Sequence, residues 1–188
     1  MLTNLPPIVQ AVLVLIVVTA AVYDLRYRRI PNWLVLAGLV AGFGLNTFLF
    51  ESSGLIHSAK GMGLALAIYF PLYVLRAMGA GDAKLMAAVG SIVGWGNWLA
   101  IFVLTAVIGG LMGLVVLLFA GRIRRTFWNL GWMINEMMHF RAPYRSSEEL
   151  DVRSEKAMRM PHGVAIALGS IAFLVARAIW GSKSFGGF

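Results

Sequence analysis

The 188-residue chain has no cysteine. That absence excludes disulfides, thiolate metal sites and a cysteine nucleophile. Acidic residues are scarce: eight Asp and Glu stand against sixteen Lys and Arg, and the three histidines, His57, His139 and His162, are scattered. Long polar stretches are scarcer still, with one, Gly121 to Met160. The rest is apolar. Hydrophobic residues make up 60% of the chain and the mean hydropathy is +0.80, where soluble domains sit nearer half apolar. The composition implies an all-α, polytopic membrane protein: one bundle over residues 1–188 with no separate soluble domain. The net charge of +8 does not make it a nucleic-acid binder. Aromatic and basic residues are not interleaved on a soluble module, and Lys and Arg collect on the cytoplasmic loops of membrane proteins.

Hydropathy and breakers predict six transmembrane helices. The first runs from Ile8 to Tyr23, with no basic residue before it and Arg26, Arg28 and Arg29 directly after it. Pro31 opens the second, about Asn32 to Phe50, because proline is tolerated in a first helical turn. Glu51-Ser52-Ser53-Gly54 is an outer turn, and a third helix spans roughly Ala59 to Ala77. The fourth starts near Asp82 and ends around Trp95, short for a full span. Gly94, Gly96 and Asn97 form the next break, and the fifth helix covers Trp98 to Ala120. The sixth opens at Pro161 and ends near Trp180. Between the last two, residues 121–160 read as a cytoplasmic loop. Its Arg124 to Phe140 part mixes Trp128, Trp132 and methionines with basic flanks, the composition of an amphipathic helix lying in the interface. This arrangement puts 13 of the 16 Lys and Arg on the inner side, leaving Lys60, Arg177 and Lys183 outside. So uneven a split predicts that the N- and C-termini are both outside. Small residues four apart (Gly38 and Gly42, Gly90 and Gly94, Gly109 and Gly113) read as helix packing contacts.

The acids then sort themselves. Glu136, Glu148, Glu149, Asp151 and Glu155 lie in the inner loop and Glu51 in an outer turn. Asp24 and Asp82 remain, one closing the first helix and one opening the fourth, at the same depth. An ionisable group within apolar helix is costly, and it is a functional candidate for that reason. Taken singly, each has an ordinary explanation: a helix cap for Asp82, an ion pair with Arg26 or Arg28 for Asp24. Their matching depth, and the Gly79-Ala80-Gly81 turn beside Asp82, favour a shared site. Two close carboxylates cannot both ionise easily, so one keeps a proton. Such a pair activates water and polarises an amide carbonyl without metal or cofactor. Gly79 and Gly81 leave a bare backbone edge where an extended substrate can approach. With Asp82 at a helix N-terminus and Asp24 at a C-terminus, the helix dipoles assign the base to Asp82 and the proton-bearing acid to Asp24. A packing or hydrogen-bonding role suits His162. A small proton-coupled transporter would favour internal repeats and mid-membrane acids, and neither is seen. A non-catalytic assembly scaffold is the other alternative.

Three segments resemble the type IV prepilin peptidase family. Gly79-Ala80-Gly81-Asp82-Ala83-Lys84 is similar to its GxGDxK motif. Asp24 followed by Arg28-Arg29-Ile30-Pro31-Asn32 resembles its first aspartate and I-P-N turn. Pro161-His162-Gly163-Val164-Ala165 resembles its late P-x-G-x-A segment, with His162 where an aromatic residue is expected. The resemblance implies an intramembrane aspartic endopeptidase of the bacterial inner membrane. Its activity is to remove the basic leader of prepilins or pseudopilins at the cytoplasmic face, with Asp24 and Asp82 as the catalytic pair. Gly79, Gly81, Lys84, Pro31, Asn32, Pro161 and Gly163 carry over as motif or substrate-positioning residues. Pilus or secretion components are possible further partners. Larger members resemble this chain but add a cysteine-bearing domain that methylates the new N-terminus. The short first connection and the lack of cysteine resemble the short form associated with Flp (tight adherence) pili, so methylation is not expected.

Overall fold

The computed structural model of the chain describes residues 5–75, 78–119 and 161–184. These form four helices: α1 (Pro7–Tyr27), α2 (Asn32–Val74), α3 (Ala80–Phe119) and α4 (His162–Ser184). All four are long and apolar enough to cross a membrane, and no strand occurs among the described residues.

α1 begins on Pro7 and ends at Arg28, whose left-handed backbone turns its N–H back to the carbonyl of Asp24. Its buried residues are Val9, Leu13, Ile16, Val17, Ala20 and Asp24. They recur every three or four positions and so form one inward stripe. Asp24 continues that stripe, which is why it faces protein rather than lipid. Leu15, Val18, Val22 and Leu25 lie on the opposite, exposed side, the surface a bilayer covers.

The six separate helices expected from the sequence are corrected to four. α2 has 43 residues and α3 has 40, each about 60 Å if straight against a hydrocarbon core of about 30 Å. Neither is straight. The backbone of α2 leaves helical geometry at Glu51 (φ 54°, ψ −138°) and that of α3 at Gly94 (φ 74°, ψ 171°). Asn46 Nδ2 donates to Ser58 Oγ at 2.9 Å, although twelve residues of straight helix would hold them about 18 Å apart. α2 therefore folds back on itself. In α3, Trp98 Nε1 donates to the carbonyl of Met86 at 3.0 Å over the same interval, so it folds back too.

Both reversals are nearly loopless for the same physical reason. A helix break frees carbonyl groups that need donors. Ser53 Oγ donates to the carbonyl of Phe50 at 2.5 Å, and Asn97 Nδ2 to that of Val93 at 3.0 Å. The polar residues that read as turns are partners for the broken ends. At Gly94 the positive φ requires glycine, and a Cβ there would fall on the imidazole of His57.

The first arm of α3 is the centre of the molecule. Its residues from Leu85 to Gly94 are all buried. A helix apolar all round belongs in the interior, and one enclosed by protein has no need to match the bilayer, which accounts for its shortness. Gly61 of α2 and Gly90 of α3 meet backbone to backbone with no room for a Cβ on either. Asn46 Nδ2 also lies 3.0 Å from the carbonyls of Ser91 and Ile92, tying both arms of α2 to α3. α4 packs broadly on both α1 and α3, whereas α1 touches α2 and α3 only lightly. The loop 121–160 and the interfacial helix expected at Arg124 to Phe140 lie outside the described residues.

Candidate active site

Asp24 sits in the last turn of α1 and is buried, with 7% of its surface exposed. It stays there because α4 answers it: the backbone N–H of Gly163 donates to Asp24 Oδ2 at 2.8 Å. That N–H belongs to the first turn of α4, where helical N–H groups have no partner of their own. The approach is close: a Cβ on Gly163 would lie 3.0 Å from Asp24 Cβ and 3.1 Å from Oδ2, so Asp24 would have to shift to admit it.

Asp82 lies in the first turn of α3, half-buried and within electrostatic reach of Asp24. It accepts no hydrogen bond among the described residues. Gly79 backs onto it, with a Cβ there falling 3.2 Å from Asp82 Oδ2. Gly79 also supplies the carbonyl that accepts the N–H of Ala83 at 3.3 Å. A Cβ on Gly81 would lie 3.3 Å from Ile30 Cβ, so the connection between α1 and α2 rests on the first turn of α3. Lys84 Nζ donates to Asn32 Oδ1 at 3.2 Å, closing the same junction from the solvent side. Pro31, in extended conformation (φ −70°, ψ 140°), caps α2. Pro161 stands just before α4, where its carbonyl accepts the N–H of Val164 at 3.1 Å.

The candidate site residues, Asp24, Pro31, Asn32, Gly79, Gly81, Asp82, Lys84, Pro161 and Gly163, thus gather at one end of the bundle. The three motif segments come from chain positions far apart and meet because α4 bridges α1 and α3. The helix-dipole inference from the sequence gains a further contributor. The α1 end that opposes charge on Asp24 is met there by the first turn of α4, whose N–H the same carboxylate accepts. No group of three or more acidic or histidine side chains able to hold a metal occurs among the described residues.

Two further side chains adjoin the pair. His162, half-buried at the start of α4, lies within electrostatic reach of Asp24, and Gly109 of α3 makes room for it, a Cβ there standing 3.6 Å from His162 Cε1. Tyr69 of α2, 2% exposed, lies within electrostatic reach of Asp82. In the sequence Tyr69 is one aromatic residue in an apolar run and carries no signal.

Fold and site together define a class: a helical membrane protein with two carboxyl groups brought together at helix ends. The chain belongs to the type IV leader peptidase family, whose family model matches residues 11–114, more than half of it. The matched region contains Asp24, Pro31, Asn32 and the whole Gly79 to Lys84 segment; Pro161 and Gly163 lie beyond it. A prepilin leader peptidase/N-methyltransferase of Legionella pneumophila is 32% identical over 117 residues, covering 59% of this chain and 41% of that protein. The chain therefore spans about two fifths of that relative's length. No solved structure matches.

Proposed function

We propose that this protein is an intramembrane aspartic endopeptidase that removes the leader peptide of prepilin-like substrates. The observation that carries the reading is the meeting of Asp24 and Asp82 at helix ends, one held by main chain and the other open to an incoming group. One carboxylate takes a proton from water as the water oxygen attacks the scissile carbonyl carbon. The other carboxyl group donates its proton to the carbonyl oxygen. As the tetrahedral species collapses, the C–N bond breaks, the proton gained from water passes to the leaving amine, and the proton on the former carbonyl oxygen returns to the carboxylate that gave it. No metal or cofactor enters the scheme. Gly79, just before α3, borders Asp82 with bare backbone, an edge an extended substrate segment can approach.

In this reading α2 and α3 each cross the membrane twice, giving six passes with both termini outside. The dyad then lies at the cytoplasmic face of the inner membrane, next to the basic residues that favour that side. In the same scheme the chain between α3 and α4 joins them on that face. The substrate is a membrane-inserted prepilin or pseudopilin, delivered to pilus or secretion assembly components. Leader cleavage alone is proposed, not methylation.

The test is cleavage of a co-expressed prepilin by Asp24→Asn and Asp82→Asn variants. Asn keeps an oxygen in place of the carboxylate, so both variants should insert and fold while uncut prepilin accumulates. Normal processing by either one would sink the dyad and leave a transporter or a scaffold as the reading to pursue.

A further inference from the structure

Tyr69 occupies a place that packing alone does not explain. Its ring is held edge-on against Trp98 (centroids 6.1 Å apart, planes at 75°) and Phe102 (5.8 Å, 81°), and those two rings stack on each other at 5.4 Å. Trp98 is fixed in turn by its indole N–H, which donates to the carbonyl of Met86. Met86 is four residues beyond Asp82 in α3, hence on the same helix face, one turn along. The aromatic cluster therefore sets Tyr69 beside the face that carries Asp82, and the Asp82 charge reaches the phenol.

The ring is buried and packed against two other rings, but the hydroxyl is unused. It enters no hydrogen bond among the described residues. Nor is it sealed away, for Thr105 Oγ1 is the one enclosed and unpartnered side-chain polar atom among them. A buried tyrosine ordinarily finds a partner for its O–H. One held rigidly beside a carboxyl group, with its donor open to the adjoining space, suits a partner that arrives with the substrate.

We propose that the Tyr69 hydroxyl is a further catalytic group, donating a hydrogen bond to the carbonyl oxygen of the peptide being cut. The proposal rests on the peptidase reading. When water adds to the carbonyl carbon, negative charge gathers on that oxygen, and a preorganised donor stabilises it more than it stabilises the ground state. Tyr69 keeps its proton throughout. The proton transfers remain with the aspartates, and no bond to tyrosine forms or breaks.

The experiment uses the full chain in phospholipid vesicles with a membrane-inserted prepilin, comparing the parent with Tyr69→Phe. Phenylalanine preserves the ring and its contacts, and an unchanged melting temperature verifies the fold. The expected result is a kcat lower by about tenfold to a hundredfold with KM within about twofold, the signature of an interaction made in the transition state. A role confined to packing would leave kcat unmoved. Parental kcat in Tyr69→Phe overturns the proposal, whether or not KM shifts. If the parent itself leaves the prepilin uncut, the peptidase reading fails and takes this one with it; a parent that cuts, matched by Tyr69→Phe, overturns this one alone.

Discussion

Gly163 and Asp24, 139 positions apart in the sequence, are joined by a 2.8 Å hydrogen bond from the glycine N–H to the aspartate Oδ2. Asp24 does for α4, from a different helix, what a capping side chain does for its own: it accepts an N–H that the helix leaves unpaired. The ordinary explanation of the residue and the catalytic one are therefore both satisfied by one geometry. They separate on substitution, since asparagine can still cap and cannot act as a carboxylate.

Gly163→Ala should damage activity while sparing the fold. Alanine favours helix over glycine by up to about 1 kcal/mol, so α4 itself gains. The added Cβ presses on Asp24, at 3.0 Å from its Cβ, and moves the carboxylate. Prepilin processing is expected to fall about tenfold or more, in line with the sensitivity of catalysis to small misplacement. The melting temperature in detergent should hold or rise. Parental processing would mean that the close approach does not position Asp24.

Lys84 and Asn32 should behave as a pair. Their hydrogen bond joins the first turn of α3 to the start of α2 at the solvent edge, where such contacts contribute under about 1 kcal/mol to stability. Asn32→Leu and Lys84→Met are each expected to lower kcat/KM, and the double variant should be no worse than the poorer single one. Asn32→Asp retains an acceptor for the ammonium and should retain most activity. Additive losses in the double variant would show that the two residues act separately.

Gly94→Ala should destabilise the protein by about 2 kcal/mol or more, combining an unfavourable positive φ with overpacking against His57. Thermal unfolding in detergent measures it. Adding His57→Ala should recover the steric part and leave the backbone part. A single Gly94→Ala as stable as the parent would place the reversal elsewhere.

The absence of cysteine makes topology directly testable. Ser52→Cys and Gly96→Cys, at the two reversals, should react with an impermeant maleimide added outside spheroplasts, and Ser147→Cys only after lysis. A reporter fused at Phe188 should read as external. Labelling of Ser147→Cys in intact spheroplasts would invert the orientation.

Much of the site is written in local chemistry. Asp24 falls on the i, i+3, i+4 stripe of Leu13, Val17 and Ala20, so its inward aim is readable from α1 alone. Asp82 is marked by Gly79 and Gly81, because a charge between glycines inside apolar sequence has few uses. The prolines at 31 and 161 announce helix starts by what their rings forbid. The sequence marks where the reversals fall but not their geometry. Glu51 to Gly54 and Gly94 to Asn97 read as loops because breakers gather there, whereas Ser53 and Asn97 instead serve the freed carbonyls and keep each reversal nearly loopless.

Composition and periodicity by themselves settle that the chain is helical and made for a membrane, and they single out the two acids set apart from loop and turn, since those properties depend on each residue and its near neighbours. Which groups surround those acids was decided only by tertiary structure. The N–H of Gly163 reaches Asp24 because α4 lies against both α1 and α3, and Tyr69 comes to Asp82 because α2 folds back and Trp98 ties the cluster to Met86. Contacts of that kind depend on how helices cross, and helix crossings are governed by the shapes of whole faces, a quantity that no short stretch of sequence carries.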